Sequence, residues 1–211
     1  TGGTNNVGIG GWALTQNTTG VCNVAIGSLP LEGNKTGDFN IALGSQSLYL
    51  ANSGCHNFAA GQCALYSNWG GCDNTAIGCK ALLNNTTGDF NIGIGKLALC
   101  CNTTGTYNTA SGRESLRSNT TGRNTAVGNR ALYSNTTGNY NSAFGKLALC
   151  GNTTGVRNTA SGFQSLHANT TGACNTAVGV NALYYNIFFF IGALGGAVVA
   201  YLLLNNIAFF S

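Results

Sequence analysis

A glycine returns at a nearly fixed interval through most of this chain, and that period constrains the fold more than any other feature. It stands at Gly10, Gly27, Gly44, Gly61, Gly78, Gly95, Gly112, Gly128, Gly145, Gly162 and Gly179. Nine of the ten steps are 17 residues, and the step from Gly112 to Gly128 is 16. Four residues after each of these glycines comes a leucine, from Leu14 and Leu31 through to Leu183. The unit reads G-x-x-A-L-x-x-N-T-T-G-x-x-N-T-A-x, and GKLALCCNTTGTYNTAS, from Gly95 to Ser111, carries it in full.

A 17-residue unit is too short for a helical-hairpin repeat, which needs about 30 residues or more. It is also rich in Asn, Thr and Gly, which are poor helix formers. Two short extended stretches joined by Asn/Gly turns fit instead. One is the N-T-A-x-G segment (Asn74 to Gly78) and the other is the Ala-Leu segment. Stacked strand on strand ~4.8 Å apart, such units predict an all-β, parallel β-solenoid. The repeats fill residues 1–186 as eleven coils. The leucines must face inward, because eleven exposed leucines would form an insoluble stripe. The column Ala25, Ala42, Ala59, Ala76, Gly93, Ala110 admits nothing larger and predicts close backbone approach. The asparagines two positions earlier (Asn23, Asn40, Asn57, Asn74, Asn91, Asn108) are placed to form a side-chain amide ladder.

Composition narrows the function. Nine Lys/Arg and five Asp/Glu make 7% of the chain, against roughly 25% in an ordinary soluble domain. That leaves little for acid–base chemistry or a metal cage. A net +4 spread over 211 residues lacks the clustering a nucleic-acid surface needs. His56 and His167 lie in different coils and phases. Asp38 and Asp89 share a phase, with Cys55 and Cys72 between them, but are three coils, ~14 Å, apart. No nucleophile–base pair or phosphate-binding loop is legible. The expectation is no enzyme, no cofactor, no metal and no nucleic-acid partner.

NVAIG (Asn23–Gly27), NTAIG (Asn74–Gly78) and the ALxxNTTGxxNTAxG runs resemble the head repeats of trimeric autotransporter adhesins. They are closer still to the longer repeats of phage and viral fibre proteins. The resemblance covers residues 1–186. It implies a left-handed β-roll, often assembled in threes, acting outside the cell or on a virion as an adhesive or structural shaft. The adhesin unit is shorter than this one, and the stalk heptads and β-barrel anchor of that family have no counterpart here.

The phase at the two ends is informative. Asn186 occupies the first position of N-T-T-G, and Thr1, Gly2 and Gly3 occupy the rest. Joining Asn186 of one copy to Thr1 of another gives ALYYN/TGGTNNVGIG, an unbroken repeat. These residues are the candidate junction of a head-to-tail homopolymer. Eleven coils predict an axial step of roughly 53 Å. The chain has no methionine and begins at Thr1, which reads as removal of an N-terminal piece such as a secretion signal.

Residues 187–211 form a second unit, an apolar tail whose first 18 residues, IFFFIGALGGAVVAYLLL, carry no charge. Gly192 and Gly196 give a G-x-x-x-G face, and Phe188, Phe189, Phe190, Leu202 and Leu203 are its packing candidates. The length suits a membrane span. However, no Lys or Arg follows Arg157 to fix an orientation. Burial between neighbouring subunits, as helix or strand, is the favoured reading.

N-x-S/T recurs at the turn: Asn17, Asn34, Asn85, Asn102, Asn119, Asn135, Asn152 and Asn169, with Asn84 overlapping Asn85. On exposed turns of a secreted fibre these are glycan acceptor candidates. Nine cysteines point to an oxidising compartment. Cys55 and Cys72, 17 apart, stack directly and are disulfide candidates, as are Cys63 and Cys79, 16 apart. Thr75, Thr109, Thr125, Thr159 and Thr176 share a column, which raises an ice-binding face as a third reading. The sequence thus points first to a subunit of an extracellular filament, polymerising with itself in line or in threes. A membrane- or virion-anchored adhesin or receptor-binding fibre, with a host receptor or glycan as its partner, is the alternative.

Overall fold

In the computed structural model, which describes residues 2–186, every repeat contributes one strand of three residues. These are β1 (Val7–Ile9), β2 (Val24–Ile26), β3 (Ile41–Leu43), β4 (Phe58–Ala60), β5 (Thr75–Ile77), β6 (Ile92–Ile94), β7 (Thr109–Ser111), β8 (Thr125–Val127), β9 (Ser142–Phe144), β10 (Thr159–Ser161) and β11 (Thr176–Val178). They form one eleven-stranded parallel sheet in chain order. Pairing follows the repeat residue for residue, as in Val24↔Ile41, Ala25↔Ala42 and Ile26↔Leu43. The chain is a parallel β-solenoid.

The interior follows from the residues whose side chains point inward. The middle residue of each strand faces in, and Ala25, Ala42, Ala59, Ala76 and Ala110 are fully buried. Opposite them stand the leucines, nine of which, Leu31 through Leu166, have no solvent exposure. Each such leucine contributes roughly 1.5–3 kcal/mol of burial free energy. Alanine is obligatory opposite leucine because the cross-section is narrow. At Gly93 a Cβ would already lie 3.3 Å from Leu82 Cγ.

The corners require an unusual backbone. In each coil three non-glycine residues have positive φ: the leucine, the residue two before it, and the residue before the strand-leading asparagine. Leu82, Lys80 and Phe90, at φ 50°, 59° and 56°, are one such set. None of the residues in these columns is Val, Ile or Thr, since β-branching makes the left-handed region costly. The column glycines turn further, with φ 127° at Gly95. A Cβ there would sit 2.7 Å from the Gly112 carbonyl.

Two amide ladders, the turn ladder interrupted at Ala51, run along the interior and converge on one column of carbonyls. In the strand-leading ladder, Asn91 Oδ1 accepts from the Asn108 backbone N–H at 3.0 Å and from Asn108 Nδ2 at 3.1 Å. In the turn ladder, Asn102 Nδ2 donates to Asn85 Oδ1 at 2.8 Å. Gly88 O accepts from both, taking Asn85 Nδ2 at 2.9 Å and Asn74 Nδ2 at 2.8 Å. Buried amides are tolerable only when satisfied in this way. Except at Thr121 the carbonyl column is glycine, because a Cβ at Gly71 would come 2.5 Å from both Asn68 Oδ1 and Gly88 O.

Candidate functional site at the solenoid ends

A stack of identical layers pairs each layer with the next, so its first and last layers hold complementary unpaired groups. At the first coil the backbone N–H groups of Asn5, Asn6, Gly10 and Trp12 have no acceptor among the described residues. In the next coil their equivalents are all bonded. Cys22 N donates to Thr4 O at 3.1 Å, Gly27 N to Ile9 O at 2.8 Å and Leu29 N to Gly11 O at 2.8 Å. Asn23 N donates to Asn6 Oδ1 at 2.8 Å. The matching acceptors at the last coil are Ala173 O, Val178 O, Val180 O and Asn175 Oδ1, none of them used within the described chain.

The reverse set is present as well. Thr176 N, Leu183 N and Tyr185 N at the last coil donate to no described acceptor. Their equivalents one coil earlier are bonded: Thr159 N to Asn175 O at 2.8 Å, Leu166 N to Ala182 O at 2.9 Å and Ala168 N to Tyr184 O at 2.8 Å. The corresponding carbonyls at the first coil are Asn6 O, Ala13 O and Thr15 O, likewise unused. Seven backbone donors and seven acceptors therefore match in sign and position if β11 of one copy is laid on β1 of another. Phase counting picked out the junction but missed these groups, although the repeat register was enough to locate them.

Of the predicted junction residues, Gly2 and Gly3 lie in phase: both their N–H groups donate to Thr18 O, at 2.7 and 3.0 Å. Asn186 extends the turn ladder, donating from Nδ2 to Asn169 Oδ1 at 3.0 Å. Thr1 and the tail candidates Phe188, Phe189, Phe190, Gly192, Gly196, Leu202 and Leu203 lie outside the described residues. Among the described residues no helix is long and apolar enough to cross a membrane.

Two expectations are corrected. The sequon asparagines do not sit on the outside of the turn. Asn34, Asn85, Asn102, Asn119, Asn135, Asn152 and Asn169 are buried and are the rungs of the turn ladder, and Asn17 is half-buried at its end. Asn85, Asn102, Asn135 and Asn152 each donate from Nδ2 to both a neighbouring asparagine and a glycine carbonyl. The nitrogen a glycan needs is therefore inside and occupied. Asn84, the overlapping sequon, is exposed.

The cysteine pairs are not bonded, and all nine thiols are free. Cys55 and Cys72 do stack, but in a column where each side chain accepts a backbone N–H from the coil before. Val21 N donates to Asp38 Oδ1 at 2.8 Å, Asp38 N to Cys55 Sγ at 3.4 Å, Cys55 N to Cys72 Sγ at 3.2 Å and Cys72 N to Asp89 Oδ1 at 2.7 Å. Both sulfurs thus point back along the stack and do not face each other. Cys63 and Cys79 occupy neighbouring columns: Cys63 N bonds Ser45 O, whereas Cys79 O accepts from Leu97 N. The vicinal thiols of Cys100 and Cys101 are 3.5 Å apart. Burial, with Cys101 beside it, pushes the Cys100 thiol up to about 11.

The remaining polar groups are dispersed. His56 stacks on Phe39, and His167 on Tyr184 with its pKa lowered by burial. No cluster of three metal-ligating side chains occurs among the described residues. The threonine column lies on the outward face of the sheet, interrupted by Ile41, Phe58, Ile92 and Ser142. Comparison with family models, with curated proteins and with solved structures returned no match.

Proposed function

We propose that the chain is the structural subunit of an extracellular filament that grows head to tail, the last coil of one copy seating the first coil of the next. The observation that carries this reading is the match, among the described residues, of seven unpaired backbone donors at the two ends with six carbonyls and the Asn175 amide oxygen. Among the described residues each end offers an open strand edge, which natural sheets normally blunt or cover. A non-closing, heterologous contact of this kind extends into a fibre. Placement outside the cell rests on the resemblance of the repeats to fibre and adhesin heads.

Blocking one end tests the reading. A folded domain fused ahead of Thr1 should abolish growth in sedimentation and light scattering, while circular dichroism stays that of the native chain. The same domain inserted between Thr86 and Thr87, on the outer turn, should leave growth intact. Equal growth of both fusions would overturn end-to-end stacking. So would a native chain that forms only discrete rods bound to membrane, the behaviour of an anchored fibre.

A further inference from the structure

The charges appear scattered in the sequence, but the solenoid gathers them. Lys80, Lys96, Arg113, Arg130 and Lys146 are the first or second residue after successive column glycines. Stacking brings them to one corner, one cation per coil over five coils, as backbone bonds from Glu114 N to Lys96 O and from Arg130 N to Arg113 O show. All five are exposed. Lys96, Arg113 and Lys146 share one column and Lys80 and Arg130 the neighbouring one, so at ~4.8 Å per coil they form a narrow staggered file roughly 19 Å long.

The same corner of the other coils is uncharged: Gly11-Trp12, Ser28-Leu29, Ser45-Gln46 and Gln62-Cys63 before the file, Phe163-Gln164 and Val180-Asn181 after it. The file and Glu114 carry the whole excess of +4, because the remaining four cations and four carboxylates of the chain cancel.

Glu114 offsets only one of the five charges. Its side chain is only 8% exposed, and it holds Arg130 Nε at 2.6 Å and Arg113 Nη2 at 3.2 Å from beneath. The Arg130 guanidinium keeps this carboxyl below its usual range. Arg130 also lies over the Tyr133 ring, 5.3 Å from its centroid, and Lys146 lies 5.9 Å from the Phe163 centroid. Two guanidinium groups are thereby fixed while their other nitrogens have no acceptor among the described residues. Fixed forks of this kind suit carboxylate and sulfate.

We infer that this corner is a binding site for a linear acidic polysaccharide, laid along the solenoid axis with one carboxylate or sulfate per sugar ring over each coil. The repeat favours such a chain over duplex nucleic acid. A DNA strand carries a charge every ~3.4 Å, denser than one cation per coil, and duplex binding needs contacts on both strands. The inference does not depend on filament growth, since the file lies within a single chain.

Calorimetric titration of the full-length protein tests it with three probes: an oligogalacturonate of eight sugars, a sulfated galactan of similar length, and oligothymidylate. At least one acidic glycan should bind, weakening as salt rises, and the tighter of the two identifies the anion. The triple variant Lys80→Gln/Lys96→Gln/Lys146→Gln removes exposed groups only and should bind about tenfold or more weakly, with a shallower salt dependence. Lys35→Gln/Arg157→Gln, away from the file, should bind like the native chain. Failure of both acidic glycans to bind would overturn the inference. Equal or tighter binding of oligothymidylate, or an unchanged triple variant, would also overturn it.

Discussion

The coil that ends at Gly128 and the coil that ends at Gly95 are built on the same columns, yet the first is one residue shorter. The structure closes the gap between Asn119 and Thr121, where Thr120 alone replaces the usual threonine pair, so that Thr121 takes the glycine-carbonyl position and Gly122 the one after it. The sheet does not register the loss, as Thr109 still pairs Thr125 and Ala110 pairs Ala126. The turn ladder absorbs it. Asn119 Nδ2 reaches Asn102 Oδ1 at 3.5 Å, against 2.8 Å for the rung below. Asn108 Nδ2 takes Thr121 O at 2.7 Å in place of a glycine carbonyl. A second departure is Ala51, which stands where a ladder asparagine belongs and leaves the buried Asn34 Oδ1 without a partner. The contrast shows that inward columns set the register and the outer turn only has to close.

The largest effect should come from moving the shortening. Deleting Ile92 from β6 shifts every later inward residue of that coil to the other face. Loss of cooperative unfolding in urea is expected. Deleting Asp89 from the turn repeats what the Gly122 turn already tolerates and should cost only about 1–3 kcal/mol. Equal damage from the two deletions would break the distinction between columns and turns. Next comes Gly95→Ala, which places a Cβ 2.7 Å from the Gly112 carbonyl at φ 127°. A loss of about 4 kcal/mol or more is expected by urea denaturation.

Asn91→Ala should follow. It strips the Asn108 N–H of its acceptor and Gly105 O of one donor, and orphaned buried groups cost about 1–3 kcal/mol each. Slow amide exchange at Asn108 should be lost with it. The smallest change is a gain. Ala51→Asn would restore the missing rung and give Asn34 Oδ1 its donor, raising stability by about 1 kcal/mol. A loss on that substitution would mean that the third coil is too tight for the ladder.

The period made the stack, the strand register and the buried leucine and alanine columns legible, because one spacing imposes them all. The left-handed corners stayed hidden, since Leu, Lys and Phe are not residues that announce positive φ. The available signal was negative, namely the absence of Val, Ile and Thr from three columns. The sequon asparagines were read as outward because N-T-T-G is turn chemistry. In the solenoid the first asparagine turns in to feed the carbonyl column, and the threonines after it face out. For Cys55 and Cys72 the spacing was right and the direction wrong, because direction is set by the N–H each sulfur accepts. The cation file was legible in principle: its members are 16 or 17 residues apart, a spacing that net charge conceals.

The continuation of one register from copy to copy is tested most directly by electron microscopy of the native material with measurement of its axial repeat. Head-to-tail stacking predicts continuous filaments with layers ~4.8 Å apart and a subunit step near ~53 Å. Discrete rods about one chain long, or filaments whose axial step is unrelated to a whole number of coils, would contradict it.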